Sequence, residues 1–341
     1  LRHLVLATLT FLCISATSAG ADSSLQGLID AGHWKRARVL AERSYQSNPN
    51  DVEAAYLHSR VKFAFGDLEG ALALAEKVVA LEPKNSSYHV QLAEVCGRTA
   101  EKASLFSKGH WAKRFREESE TAASLDPKNL NARFDLLEFY LQAPRLMGGG
   151  QDKARAMADE IAKVDSVSGL LAQARLAREQ KDWGKEQEAY IKAAATAPKN
   201  YNTMVEIANF FLRPTGGGKP GDTTTIDPPS NPVDAEKFAR QAVKLDPGHA
   251  AAYAALARLY AIQQRWKDLD AVLIEAEKNV PDNLRPCYRA AEVLFAENKD
   301  LPRAERYFRK YLSQEPEPDS PTLAEAQREL GLVLEKEGRK S

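Results

Sequence analysis

The side chains with intrinsic reactivity in this chain are few and far apart. Past the amino end there are two cysteines, Cys96 and Cys287, and five histidines, His33, His58, His89, His110 and His249. A protein zinc site needs such ligands in tight local spacing, as in two histidines one helical turn apart or paired cysteines, and no such pair occurs. Neither cysteine carries the neighbours that mark an activated nucleophile, so both read as small buried hydrophobes. The run Gly216-Gly217-Gly218-Lys219 invites a phosphate-loop reading. A phosphate cradle requires a buried strand before the glycines and Ser or Thr after the lysine; here Pro220 follows and no strand precedes. Acidic residues are plentiful, but no pattern pairs any two of them as acid and base. The chain therefore reads as a non-enzyme with no catalytic residues, no metal site and no cofactor, and its function has to be sought in binding.

Charge narrows the choice of partner. Lys and Arg number 47 and Asp and Glu also 47, so no global field draws the chain to nucleic acid or to an anionic membrane. The one basic and aromatic cluster, Lys113-Arg114-Phe115-Arg116, is followed at once by Glu117, Glu118 and Glu120, the pattern of a salt-bridged exposed helix face. Nucleic acid is excluded as a partner on these grounds. At the amino end, Arg2 and His3 precede an apolar run from Leu4 to Ile14, and Ala19-Gly20-Ala21 offers a small-residue cleavage pattern. That order predicts a signal peptide over residues 1–21 and a periplasmic or secreted mature chain. Lipid attachment at Cys13 is disfavoured by Phe11-Leu12 before it. No other stretch has the length and apolarity of a membrane helix.

The elements that position any binding residue are set by a repeat. Gly32, Ala37 and Pro49 recur as Gly66, Ala71 and Pro83, each 34 residues on, and Pro247 to Pro281 repeats the interval. Similar helix ends recur as Leu81-Glu82-Pro83-Lys84-Asn85, Leu125-Asp126-Pro127-Lys128-Asn129, Ala197-Pro198-Lys199-Asn200 and Leu245-Asp246-Pro247-Gly248-His249. Each proline follows an apolar last turn, where a helix must stop. Between the prolines, a first amphipathic helix (as in Tyr253, Leu256, Ala257, Tyr260) leads through a tight turn to a second, whose end has the pattern seen in the preceding unit as Phe238, Ala239, Ala242, Val243, Leu245. A small residue (Ala37, Ala71, Ala154, Ala235, Ala304) marks where the two helices approach. No hairpin of this size buries both faces alone, so neighbours must stack.

On these residues the chain resembles the tetratricopeptide repeat (TPR) family, whose units are 34 residues long. The resemblance implies an all-α, right-handed superhelical solenoid of about eight helix-turn-helix hairpins over residues 22–319. Units are expected to end near 49, 83, 127, 165, 198, 247, 281 and 316, with a capping helix and tail over 320–341, Ser320 as its N-cap. Insertions at about 102–110, 143–151 and 214–232 are expected to form loops.

The resemblance also implies that a partner protein or peptide lies in the concave groove formed by the first helices, and it sets which positions face that groove. These are Tyr56, Arg60 and Phe63, then Phe134, Glu138 and Leu141, then Leu171, Arg175 and Arg178. Val205, Asn209, Leu212 and Arg213 follow, and finally Arg258 with Ile262 and Arg289 with Val293. From Arg175 onward this set is rich in Arg and poor in acid, which suggests a carboxylate-bearing segment gripped by bidentate Arg contacts. The opposing reading pairs these arginines with acids on adjacent hairpins. Asn209 with Arg213 is only a fragment of the chaperone-tail clamp known in some members, so that specificity is not implied. A scaffold of the bacterial envelope is the leading expectation. The alternative is an accessory subunit of an envelope transporter or enzyme, binding a small solute with the inserted loops.

Overall fold

The computed structural model describes residues 24–213 and 230–339. The expected signal segment and most of the third insertion lie outside the described residues. Within them the chain folds into antiparallel helical hairpins with no β-strand. The hairpins are α1 (Leu25–Asp30) with α2 (Trp34–Ser47), α3 (Val52–Ala64) with α4 (Leu68–Leu81), α5 (Ser86–Lys102) with α6 (Leu105–Leu125), and α7 (Leu130–Gln142) with α8 (Gln151–Val164). They continue as α9 (Ser166–Glu179) with α10 (Trp183–Thr196), α11 (Tyr201–Phe211) with α12 (Pro232–Leu245), α13 (Ala250–Ile262) with α14 (Trp266–Asn279), and α15 (Arg285–Ala296) with α16 (Leu301–Tyr311). A last helix, α17 (Leu323–Lys336), covers the end of the stack. The fold is the all-α solenoid that the repeat predicts.

One local device closes five of the hairpins among the described residues. The first helix ends in a residue with positive φ, at Gly32 (75°), Gly66 (79°), Lys181 (55°), Gln264 (55°) and Asn298 (54°). At each, two amides turn back to the preceding turn, as in Gly66 N–H to the Phe63 carbonyl at 3.0 Å and Asp67 N–H to the Lys62 carbonyl at 3.0 Å. This Schellman pattern satisfies carbonyls that a helix end leaves without partners. The second helix then starts on a side-chain cap, Asp67 for α4, Asp182 for α10 and Asp300 for α16. Ala37, Ala71, Ala154, Ala235 and Ala304 are fully buried where the two helices cross.

The core follows the stacking and is uneven. From Ala174 to Leu334 one continuous apolar cluster runs through the stack, with Phe210, Tyr253, Tyr260 and Phe308 at its centre. The earlier hairpins have several smaller clusters instead.

Two expectations need correction. The over-long third unit has no inserted loop: its extra residues lengthen the helices, giving α5 17 residues and α6 21, broken only at Ala103 and Ser104. Residues 102–110 hold no Pro and one Gly, so nothing there stops helix growth. The second insertion is a loop carrying a short 3₁₀ turn, Arg145–Met147, folded down against its neighbours. Arg116 donates to the Met147 carbonyl (3.2 Å) and Lys153 to the Gly148 carbonyl (2.8 Å), while a Cβ on Gly149 would meet the Ala143 carbonyl oxygen at 1.9 Å. Finally, α17 is capped by Thr322 rather than Ser320. Thr322 and Glu325 form a reciprocal capping box two residues further on, and Pro321 precedes the cap.

Candidate partner-binding wall

Curvature decides which helices line the inner wall. Along most of the array the first helices of successive hairpins touch each other, α3 with α5, α5 with α7, α7 with α9, α11 with α13 and α13 with α15. Among the described residues the second helices show no comparable contact with one another. The stack is therefore tighter on the side of the first helices, which makes that side concave. No helix among the described residues is long and apolar enough to cross a membrane.

The groove residues expected from sequence fall into three groups. Near the start, Tyr56 and Arg60 line a polar recess of about 400 Å3 with Glu53, Tyr88, Gln91 and Glu94. Arg60 donates to Gln26 at 3.1 Å and lies 3.7 Å from Asp30. Phe63 lies beneath the Arg98 guanidinium. In the middle, Phe134 carries Arg175 over its ring at 4.5 Å, and Glu138 accepts from Gln142 one turn on. Arg175, Arg178, Asn209 and Arg213 converge on a recess of about 290 Å3 with Tyr190, Glu206 and Phe210. Toward the end, Arg258 is half-buried without an ion pair among the described residues, and burial lowers its pKa. Arg289 pairs with Glu292 at 2.8 Å.

Residues 28–95 of this array match the tetratricopeptide repeat family model. Over those residues the chain is similar to tetratricopeptide repeats. The yeast Tom70 structure is similar over 92% of this chain and 61% of the Tom70 chain, at 15% identity and a TM-score of 0.59. A thermophilic TPR protein of Thermus thermophilus is similar over 54% of this chain and 94% of its own, at 22% identity and a TM-score of 0.48. At these identities the likeness to Tom70 shows the shared fold. A comparison with curated protein sequences finds no match.

Within the helical array, the wall differs from its sequence reading in two ways. Val205, Leu212 and Val293, expected in the groove, are buried in the core. Their neighbours take the place: Glu206 and Arg213 line the middle recess, and Glu292 pairs with Arg289 beside a further recess. The wall is also not poor in acid. From Arg175 onward Glu206 and Glu292 stand between and beyond Arg175 and Arg258, and Glu94 and Asp135 follow Arg60 earlier along the first helices. Burial raises the Asp135 carboxyl to about 8, with Glu94 adding to the rise and Arg175 opposing it. Burial likewise raises Glu206 against the pull of Arg175 and Arg178.

The residue that organises the middle recess is not among those expected from sequence. Glu186 sits in α10 at the position where α2, α4, α8, α12 and α16 place the small alanine, and it is 0% exposed. Its carboxylate accepts from Arg178 Nε at 2.8 Å and from both terminal nitrogens of Arg213 at 2.9 and 2.5 Å. Arg178 also donates to the Tyr190 hydroxyl at 2.6 Å. A charged residue where the repeat calls for alanine is the signal that a comparison between units carries. The two cysteines, by contrast, are buried, and burial pushes each thiol up to about 12, so neither is a nucleophile near neutral pH.

Proposed function

We propose that the chain is an interaction scaffold that holds a segment of a partner protein on its inner wall and seats a carboxylate of that segment in the middle recess. The observation that carries this reading is Glu186. One buried carboxylate fixes Arg178 and Arg213 and leaves Arg175 beside them with no ion pair among the described residues. Three guanidiniums against Glu186 and Glu206 leave positive charge unbalanced. Guanidiniums preorganised in this way match a planar carboxylate and lose little freedom on binding it. Asn209, exposed at the rim, is placed to donate to a backbone carbonyl.

Fluorescent peptides carrying Asp and Glu, their amidated counterparts and basic peptides of equal length provide the test. The acidic set is expected to bind, and Arg175→Glu to weaken it at least tenfold, about 1.4 kcal/mol. Lys267→Glu, an exposed site on the outer helix α14, is the control and leaves binding unchanged. Equal binding by Arg175→Glu overturns the assignment of the recess. Arg213 is unsuited to this test, because its reversal faces a buried carboxylate with another.

We further propose that this scaffold works in the bacterial envelope, on the support of the basic start, apolar run and Ala19-Gly20-Ala21 pattern at the amino end. A mature mass beginning near residue 22 supports export; an uncut chain recovered from the cytoplasm contradicts it.

A further inference from the structure

The two ends of the array meet. His33, Lys35, Arg36 and Arg38, at the start of α2, face the turn between α14 and α15 and the loop between α16 and α17. Arg36 Nε lies 2.8 Å from Asp282 Oδ2, and His33 Nδ1 lies 3.3 Å from the same oxygen. The Lys35 ammonium donates to the backbone carbonyls of Asp282 (2.5 Å) and Glu315 (2.6 Å). Arg38 grips the Glu315 carboxylate with both terminal nitrogens at 3.0 and 2.8 Å.

A buried cap distinguishes this junction from incidental surface pairing. The N-terminus of α2 has His33 where α4 and α10 have a capping Asp, and His33 makes no capping bond. The cap comes instead from Glu317, whose Oε2 accepts the Lys35 backbone N–H at 3.0 Å across 282 residues of sequence. Glu317 is 1% exposed, so its carboxyl is committed to that helix end and is not a solvated loop side chain. Exposed ion pairs alone contribute little, and the Arg38–Glu315 pair is exposed; the buried cap gives the contact its specificity.

We propose that this contact is a clasp that closes the superhelix head to tail, so that a folded partner reaches the inner wall only when the clasp releases. This rests on the inner wall being the binding surface, but closure can be measured without any partner. Charge sets the conditions for release. Burial raises the Glu317 carboxyl to about 7; the Lys35 N–H, the Lys35 ammonium and His33 oppose the rise, and Asp282 adds to it. Burial also acts to raise Asp282, but His33 and Arg36 hold it below its ordinary value, and Arg38 does the same for Glu315. A carboxyl raised in the closed form favours closure fully below its ordinary value of 4.5 and loses that contribution as pH rises through about 7. Asp282 and Glu315, held below their ordinary values, lose their pairs with α2 when acid protonates them. Closure is therefore expected to strengthen from about pH 8 to about pH 5 and to fail at lower pH.

The test uses the full chain with spin labels at Val39→Cys and Ile274→Cys, both on exposed outer positions, while the natural cysteines stay buried. A single short distance at low salt and about pH 6, broadening to longer distances in Arg38→Glu and returning in Arg38→Glu with Glu315→Arg, supports the clasp. Glu317→Gln, which keeps the cap without the charge, is expected to stay closed at about pH 8. A second readout is labelling of Asn209→Cys by a bulky polyethylene-glycol maleimide relative to N-ethylmaleimide. The ratio is expected to rise at least threefold in Arg38→Glu. A distance and a ratio indifferent to charge reversal, with helicity unchanged, overturn the clasp while leaving the acidic-peptide result standing.

Discussion

Replacing Glu186 with Ala is expected to destabilise the hairpin of α9 and α10 by about 3 kcal/mol, even though Ala is what the repeat carries at that position elsewhere. Glu186 is completely buried, and it holds Arg178 of α9 and Arg213 just past the end of α11 against the same small volume. Removing it leaves two guanidiniums crowded together over a void, and breaking a buried pair by deleting one partner costs about 3–5 kcal/mol. The lower end applies because both arginines reach solvent and can turn outward. Glu186→Gln keeps the shape and part of the hydrogen bonding and is expected to cost less. Urea unfolding gives the difference directly from the midpoint at unchanged slope. A second consequence separates this from simple packing: the freed arginines no longer converge, so acidic peptides bind more weakly to Glu186→Ala even where it is folded. Higher stability in Glu186→Ala would mean that the position answers only to helix packing, and the recess would lose its organiser.

Phe308→Ala is expected to cost about 3–5 kcal/mol, the usual range for emptying a buried aromatic site. Phe308 is fully buried in α16 and meets the Tyr288 ring edge-on at 5.5 Å. It lies in the one apolar cluster that runs without a break from the fifth hairpin to α17, so its loss is felt across several units. The earlier hairpins, with separate small clusters, share little of that core. Stability in a stacked array is approximately a sum of unit and interface terms, so damage at one end need not reach the other. Hydrogen exchange should accordingly show lost protection in α13 to α17 and near-normal protection in α3 and α4. Uniform loss along the whole array would show that the chain unfolds as one body.

The fold is legible in the amino-acid sequence because the rules that build it are local. Prolines after an apolar turn stop a helix, a positive-φ residue closes a hairpin, and a small residue admits a close crossing; each acts within a few positions. Where sequence and structure part, the governing interaction is not local or the unit departs from its own pattern. The third unit carries no breaker near Lys102 to His110, and growth of α5 and α6 is preferred to a loop. The groove phase, counted from helix starts, slips by one residue at Val205 and Val293, and Glu206 and Glu292 become the wall residues. Glu186 stands where alanine is the common case, so only its exception to the repeat marks it. The capping of α2 by Glu317 depends on curvature accumulated over the whole array, which no short-range pattern encodes.

The central claim is that the inner wall, and not the outer helices, meets the partner. The most direct measurement places a photo-crosslinking side chain at Asn209 on the inner wall and, in a separate chain, at Ile274 on the outer face, and exposes each to envelope extract. Adducts from Asn209 that disappear with Arg175→Glu, and none from Ile274, are the predicted result. Adducts from Ile274 alone, insensitive to Arg175, would contradict it.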